Sequence, residues 1–134
     1  MPTSMREYLR QDMECEGLLE CLHGLKELDR ETFRALVESA EPLTVDEVAD
    51  EVDRERSTAY RSIQRLLQTG LVRKEQVNYD HGGYYHVYSP AAVDEISDDM
   101  QRTLNEWYAK MGQLIQEFRD KYEDTAEVSA SVEG

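Results

Sequence analysis

Leu43-Thr44-Val45-Asp46-Glu47-Val48-Ala49-Asp50-Glu51-Val52, then Asp53-Arg54-Glu55-Arg56, then Ser57-Thr58-Ala59-Tyr60-Arg61-Ser62-Ile63-Gln64-Arg65-Leu66-Leu67-Gln68-Thr69-Gly70 is the stretch that decides the fold. Thr44 with Glu47 forms a capping-box pattern, and Leu43 with Val48 occupies the two positions of a hydrophobic staple. The helix they open is short. Val45, Val48, Ala49 and Val52 share one side of it, so it closes near Val52. Four polar residues later a second helix starts, and Gly70 stands where a C-cap is needed. Short helix, tight turn and second helix make a helix-turn-helix unit, whose second helix can lie in the major groove of DNA.

The second helix is built for that use. At about 100° per residue, Ala59, Ile63, Leu66 and Leu67 fall on one side, and Thr58, Arg61, Gln64, Arg65 and Gln68 on the other. The outer side carries no acid. Arginine can bond bidentately to guanine edges and glutamine to adenine edges, while threonine serves phosphates or thymine methyl groups. Charge supports this. The chain holds 29 acidic and 15 basic residues, net −14, but Arg54, Arg56, Arg61, Arg65, Arg73 and Lys74 are opposed between 54 and 74 by Glu55 alone. A segment of +5 on a remainder of −19 is an electrostatic footprint for a polyanion.

Upstream, Met5 to Leu22 reads as one helix, with Tyr8, Leu9, Cys15, Leu18, Leu19 and Leu22 apolar and Gly24 interrupting it. Asp29 reads as the cap of the next helix, with Leu28 and Phe33 as its staple and Leu36, Val37 and Ala40 as its buried stripe. Downstream, Leu71–Tyr79 and Tyr84–Tyr88 are rich in β-branched and aromatic residues and flank Asp80-His81-Gly82-Gly83, a hairpin pattern. Tyr79, Tyr84, Tyr85 and Tyr88 read as structural pairs of that hairpin. Ser89-Pro90 reads as the start of a long helix ending near Tyr122. The expected organisation is an N-terminal helix supporting a dimer (1–28), a DNA-binding unit (29–90), a dimerisation helix (91–123) and a disordered tail (124–134). The fold class is mainly α with a small β-hairpin wing.

The quoted stretch, with Leu71-Val72 after it and Tyr85-His86-Val87-Tyr88-Ser89-Pro90 as a closing wing strand, resembles the winged helix-turn-helix of archaeal and bacterial regulators. It looks most like the TrmB type, over about 29–90, in the short form common in salt-loving archaea. The resemblance implies a DNA-binding transcriptional regulator. It implies contacts to double-stranded DNA from Arg56, Ser57, Thr58, Tyr60, Arg61 and Arg65, and from the wing between His81 and Tyr84. Asp53 replaces the usual small turn residue, and Glu55 replaces a serine near the helix start. An acid there suits a helix N-terminus but faces phosphates poorly. Full-length TrmB proteins carry a large sugar-binding domain for which 134 residues leave no room, so sugar sensing is not carried over.

In the last helix Met100, Leu104, Trp107, Met111, Leu114 and Phe118 recur at four and three residues, a heptad seam. Tyr108, Ile115 and Tyr122 widen it. The four aromatics alone could bury about 600–1,000 Å², more than a soluble monomer usually exposes in one patch, so the expected partner is a second copy. Homodimers of this kind read two half-sites of a (pseudo)palindromic operator.

The acid-rich, lysine-poor composition fits a protein kept dispersed in concentrated salt, with cations at its acidic surface. No apolar run approaches the ~18 residues that span a bilayer, and no signal pattern opens the chain, so no membrane association and a cytoplasmic location are expected. The sequence holds no Ser/His/Asp order, phosphate loop or paired histidines, so no enzyme, cofactor or metal is expected. Cys15 and Cys21 lie six residues apart; within one helix that is ~9 Å of rise and ~120° of net rotation, beyond disulfide reach. Two other readings stand beside the main one: a winged-helix protein-interaction module of the transcription machinery, and a thiol- or metal-responsive regulator using Cys15 and Cys21 across chains.

Overall fold

A computed structural model describes residues 4–10, 15 and 17–133, with side chains described for 4–7, 15 and 17–123. In chain order the elements are α1 (Met5–Arg10), α2 (Gly17–His23), α3 (Glu27–Glu38), α4 (Val45–Val52), α5 (Arg56–Gln68), β1 (Val72–Asn78), β2 (Tyr84–Pro90) and α6 (Val93–Glu133). They form two units, residues 1–96 and 97–134.

The helix-turn-helix follows the capping chemistry. Thr44 Oγ1 accepts from Glu47 N–H at 3.2 Å, and Glu47 Oε1 accepts from Thr44 N–H at 2.9 Å. Each bond satisfies an N–H that the helix start leaves orphaned. Val45, Val48, Ala49 and Val52 are all buried. Asp53 ends α4 in the left-handed conformation, φ 54°, one of the few non-glycine types that adopts it at modest cost. Gly70, at φ 78°, ends α5. Gly70 N–H bonds to Leu67 O and Leu71 N–H to Leu66 O, both at 3.1 Å, a Schellman closure in which a Cβ at position 70 would be strained.

That closure turns the chain directly into the hairpin. The strands β1 and β2 pair antiparallel from Val72 opposite Pro90 to Asn78 opposite Tyr84, and Gly82 and Gly83 supply the positive φ values of the turn. Leu43 adds one bridge on the far side of β2, exchanging both backbone bonds with Tyr88 at 2.9 and 2.7 Å. The helix-turn-helix is thereby tied to the wing one residue before its N-cap. Val48, Ala59, Ile63 and Leu66 are fully buried, with Leu36, Leu71, Val87 and Tyr88 around them.

Several expectations are corrected. The single helix Met5–Leu22 is broken: Cys15 is a turn residue whose carbonyl accepts from Leu18 N–H at 3.1 Å, and α2 begins at Gly17. The side chains of Tyr8 and Leu9 lie outside the described ones. Asp29 is not the cap of α3. The N-cap is Lys26, and Asp29 sits one turn in, accepting from Lys26 N–H at 3.3 Å. Leu28 and Phe33 therefore do not hold staple positions. In that helix Val37 is exposed, as is Ala40 beyond its end, while Thr32 is buried instead. Ser89 and Pro90 complete β2, and the long helix starts at Val93. It does not stop near Tyr122 or give way to a disordered tail at 124 but runs to Glu133. No glycine or proline interrupts residues 113–133.

Candidate nucleic-acid interface

The outer face of α5 presents Arg56, Ser57, Tyr60, Arg61 and Gln68 exposed, with Thr58 and Gln64 half-buried. Of these, the structure brings Arg56 and Tyr60 together with the wing. An open groove of about 650 Å³ lies between the starts of α4 and α5 and the hairpin, lined by Asp46, Arg56, Tyr60, Tyr79, Tyr84 and His86 among others. At the wing tip Tyr79 stacks on His81, ring centroids 5.6 Å apart, and meets Tyr85 at 5.0 Å. Tyr84 meets His86 edge-on at 5.5 Å. Tyr84 remains 60% exposed. Burial pushes the Tyr88 hydroxyl pKa up, with Tyr60 adding to the rise and Arg56 opposing it.

The basic island is less free than its composition implies. Arg56 pairs with Asp46 at 3.0 Å, both sides largely exposed. Arg73 pairs with Glu95. Arg54 donates to Val52 O and Asp53 O, at 3.4 and 3.1 Å, and so serves the C-terminus of α4. Glu55, at the N-cap of α5, makes no side-chain capping bond. Among the described residues, Arg61 and Lys74 are the island's cations without a partner in the chain.

The outer-side reading of Arg65 changes most. Its Nε lies 3.0 Å from both Asp29 oxygens and its Nη2 2.8 Å from Oδ1. Asp29 is 2% exposed. Its Oδ1 also accepts from Ser62 Oγ at 2.7 Å, and Ser62 lies 2.9 Å from Thr32 Oγ1. Burial alone would raise the Asp29 pKa, but the bonds from Arg65, Ser62 and Lys26 N–H outweigh it and hold the carboxyl below its usual range. The same pair raises Arg65. Asp29, Thr32 and Ser62 are thus site-supporting residues that sequence reasoning missed. Asp29 and Arg65 stand 36 positions apart, and no local pattern links them.

On α6, Tyr108 is 78%, Ile115 68% and Phe118 65% exposed, and Leu104, Trp107, Leu114 and Tyr122 are also exposed. Met100 and Met111 are half-buried. Cys15 and Cys21 are free and exposed. Among the described residues no cluster of three His, Cys, Asp or Glu could hold a metal, and no helix is long and apolar enough to cross a membrane.

Helix-turn-helix, recognition-face chemistry and two-stranded wing define a winged-helix regulator. The family described as sugar-specific transcriptional regulator TrmB matches residues 19–94. Two relatives from Methanocaldococcus jannaschii, the uncharacterized proteins MJ1503 and MJ1082, are 31% and 30% identical over 109 and 105 residues. They align with 81% and 78% of this chain and with 80% and 86% of their own. A possible transcriptional regulator from Methanosarcina mazei superposes with TM-score 0.68 at 23% identity, over 78% of this chain and 88% of that one. The ST1889 protein of Sulfolobus tokodaii superposes with TM-score 0.59 at 19% identity, over 72% and 93%. The chain belongs to the TrmB family and is a transcriptional regulator of the winged-helix type; that family binds DNA.

Proposed function

We propose that the protein is a homodimeric, sequence-specific regulator that reads a (pseudo)palindromic operator with α5 in the major groove and the wing against the backbone or minor groove. The observation that carries this is the outer face of α5. Arg61 stands there with no partner among the described residues, flanked by Tyr60, Gln64 and Gln68, on a helix that fully buries Ala59, Ile63 and Leu66 on its opposite side. A free arginine on the first half of a recognition helix is placed to pair with a base edge. Arg56 and Arg73 exchange exposed carboxylates for phosphates, and Lys74, His81 and Tyr84 approach the backbone from the wing. Ser57, Thr58 and Arg54 flank the helix start. The exposed seam of α6 pairs with that of a second copy, and the N-terminal helices support it. The acidic remainder carries cations in a concentrated-salt cytoplasm.

A mobility-shift series with genomic fragments in molar KCl tests the reading. The wild type shifts a subset of fragments, and Arg61→Ala loses them at a cost of about 1–3 kcal/mol while keeping its circular dichroism spectrum. If the wild type shifts no fragment, or Arg61→Ala binds as the wild type does, the recognition face has been misread.

A further inference from the structure

We infer that Asp29 is a positioning residue for DNA binding: from α3 it holds the Arg65 guanidinium in place at the surface of α5, so that its remaining N–H groups meet a backbone phosphate. The inference rests on the proposed DNA-binding role of α5 and names a residue outside that helix on which the role depends.

The geometry is asymmetric. The Asp29 side chain is 3% exposed and that of Arg65 46%. A guanidinium has five N–H groups. The carboxylate takes Nε–H and one on Nη2, leaving both on Nη1 and the second on Nη2 with no other partner among the described residues. The arginine is thus gripped along one edge and open along the other. Bidentate gripping fixes the plane of the group. The grip is itself fixed, because Ser62 Oγ and Lys26 N–H hold the carboxylate at 2.7 and 3.3 Å.

Holding α3 to α5 does not require this arrangement. A buried carboxylate is costly to desolvate, and a well-packed apolar pair often holds two helices as well. The polar pair adds a cation whose direction is set before DNA arrives. An unrestrained arginine loses rotamer entropy when ordered; Asp29 removes much of that loss from the binding step. Arg65 lies one turn after Arg61, so both point to the same side of α5. The ligand is a phosphate rather than a base. Arg65 is the tenth of the 13 residues of α5, and base edges are met by the N-terminal residues of a recognition helix.

Bare charge predicts the opposite sign. Asp29→Asn removes a negative charge beside the interface, which by Coulomb attraction alone tightens binding to DNA. If Asp29 positions Arg65, the same change weakens it. The test measures affinity for a mixed-sequence duplex of about 30 base pairs, long enough for two half-sites one turn apart, across a KCl series. Asp29→Asn keeps shape and an acceptor for Ser62. It is expected to bind at least about tenfold more weakly, the loss of one hydrogen bond to a charged group, with a log–log salt slope smaller by about 0.9. Arg65→Ala should match it, and the double variant should be no weaker than Arg65→Ala alone. Thr32→Val removes a buried hydroxyl of the same cluster and lowers thermal stability, but leaves the slope at the wild-type value. Circular dichroism at each KCl concentration gives the folded fraction of every variant, and affinities corrected for it keep misfolding from mimicking the change in slope. Wild-type or tighter binding by Asp29→Asn, or full additivity with Arg65→Ala, overturns the positioning role while leaving the DNA-binding reading intact. A wild-type protein that binds no duplex overturns both.

Discussion

Replacing Trp107 by alanine tests whether the exposed seam of α6 is an interface. Trp107 is 42% exposed. A tryptophan side chain offers up to about 250 Å², which leaves about 100 Å² per copy for a partner to cover. At about 25 cal/mol per Å² this is about 2.5 kcal/mol per copy, and both copies of a homodimer carry the change. The ceiling is therefore about 5 kcal/mol, or three to four decades in dissociation constant. Ordering and imperfect packing reduce what area alone suggests, so at least a tenfold weakening is the expected floor. Sedimentation velocity over a concentration series reads this directly. The wild type should sediment as a dimer at micromolar concentration, and Trp107→Ala should dissociate within the accessible range. Gln113→Ala, a polar position on the same helix, should not. Trp107→Asp and Leu114→Asp, which place a carboxylate in the seam, should give monomers or aggregate. A wild type that stays monomeric at high concentration in high salt, or a Trp107→Ala protein that associates unchanged, would refute the reasoning.

Other outcomes follow from the same geometry. Thr44→Ala should cost about 1 kcal/mol of stability by removing the capping box of α4, measured by denaturant midpoint at constant m-value. The Asp29 carboxyl is held below its usual range, so its stabilisation is complete above the unfolded value of about 3.9 and is lost as pH falls through the lower folded one. The stability gap between wild type and Asp29→Asn should accordingly be widest near neutrality and narrow below about pH 4; a gap independent of pH would remove the charge from the explanation. Cations taken up by the acidic surface should offset those released by DNA. Affinity between about 0.5 and 2 M KCl should then fall far less than six phosphate contacts imply, and neutralising Asp94 or Asp98 should steepen it.

Much of the fold was legible because it is written in local chemistry. The Thr44–Glu47 box, the four inward residues of α4, the Gly70 closure and the Gly82-Gly83 turn each depend on residues within a few positions of one another. The misreadings share a cause. A helical wheel sorts residues by polarity and so puts Arg65 on the outside, and an acid beside Leu28 reads as a helix cap; neither local pattern shows that Asp29 and Arg65 face each other across two helices. Ser62 and Thr32 stayed unremarked for the same reason. Ser89-Pro90 carried a helix-start pattern, but pairing with Val72 and Arg73 extended β2 through both residues. The bridge from Leu43 to Tyr88 is a tertiary contact with no local signature.

Hydroxyl-radical footprinting on a fragment selected by genome-wide mapping of bound DNA tests the central claim most directly. The account predicts two protected patches centred about one helical turn, 10–10.5 base pairs, apart or a multiple of it. They should be occupied by two chains and be lost together in Arg61→Ala. A single patch bound by one chain, or protection that survives Arg61→Ala, would contradict it.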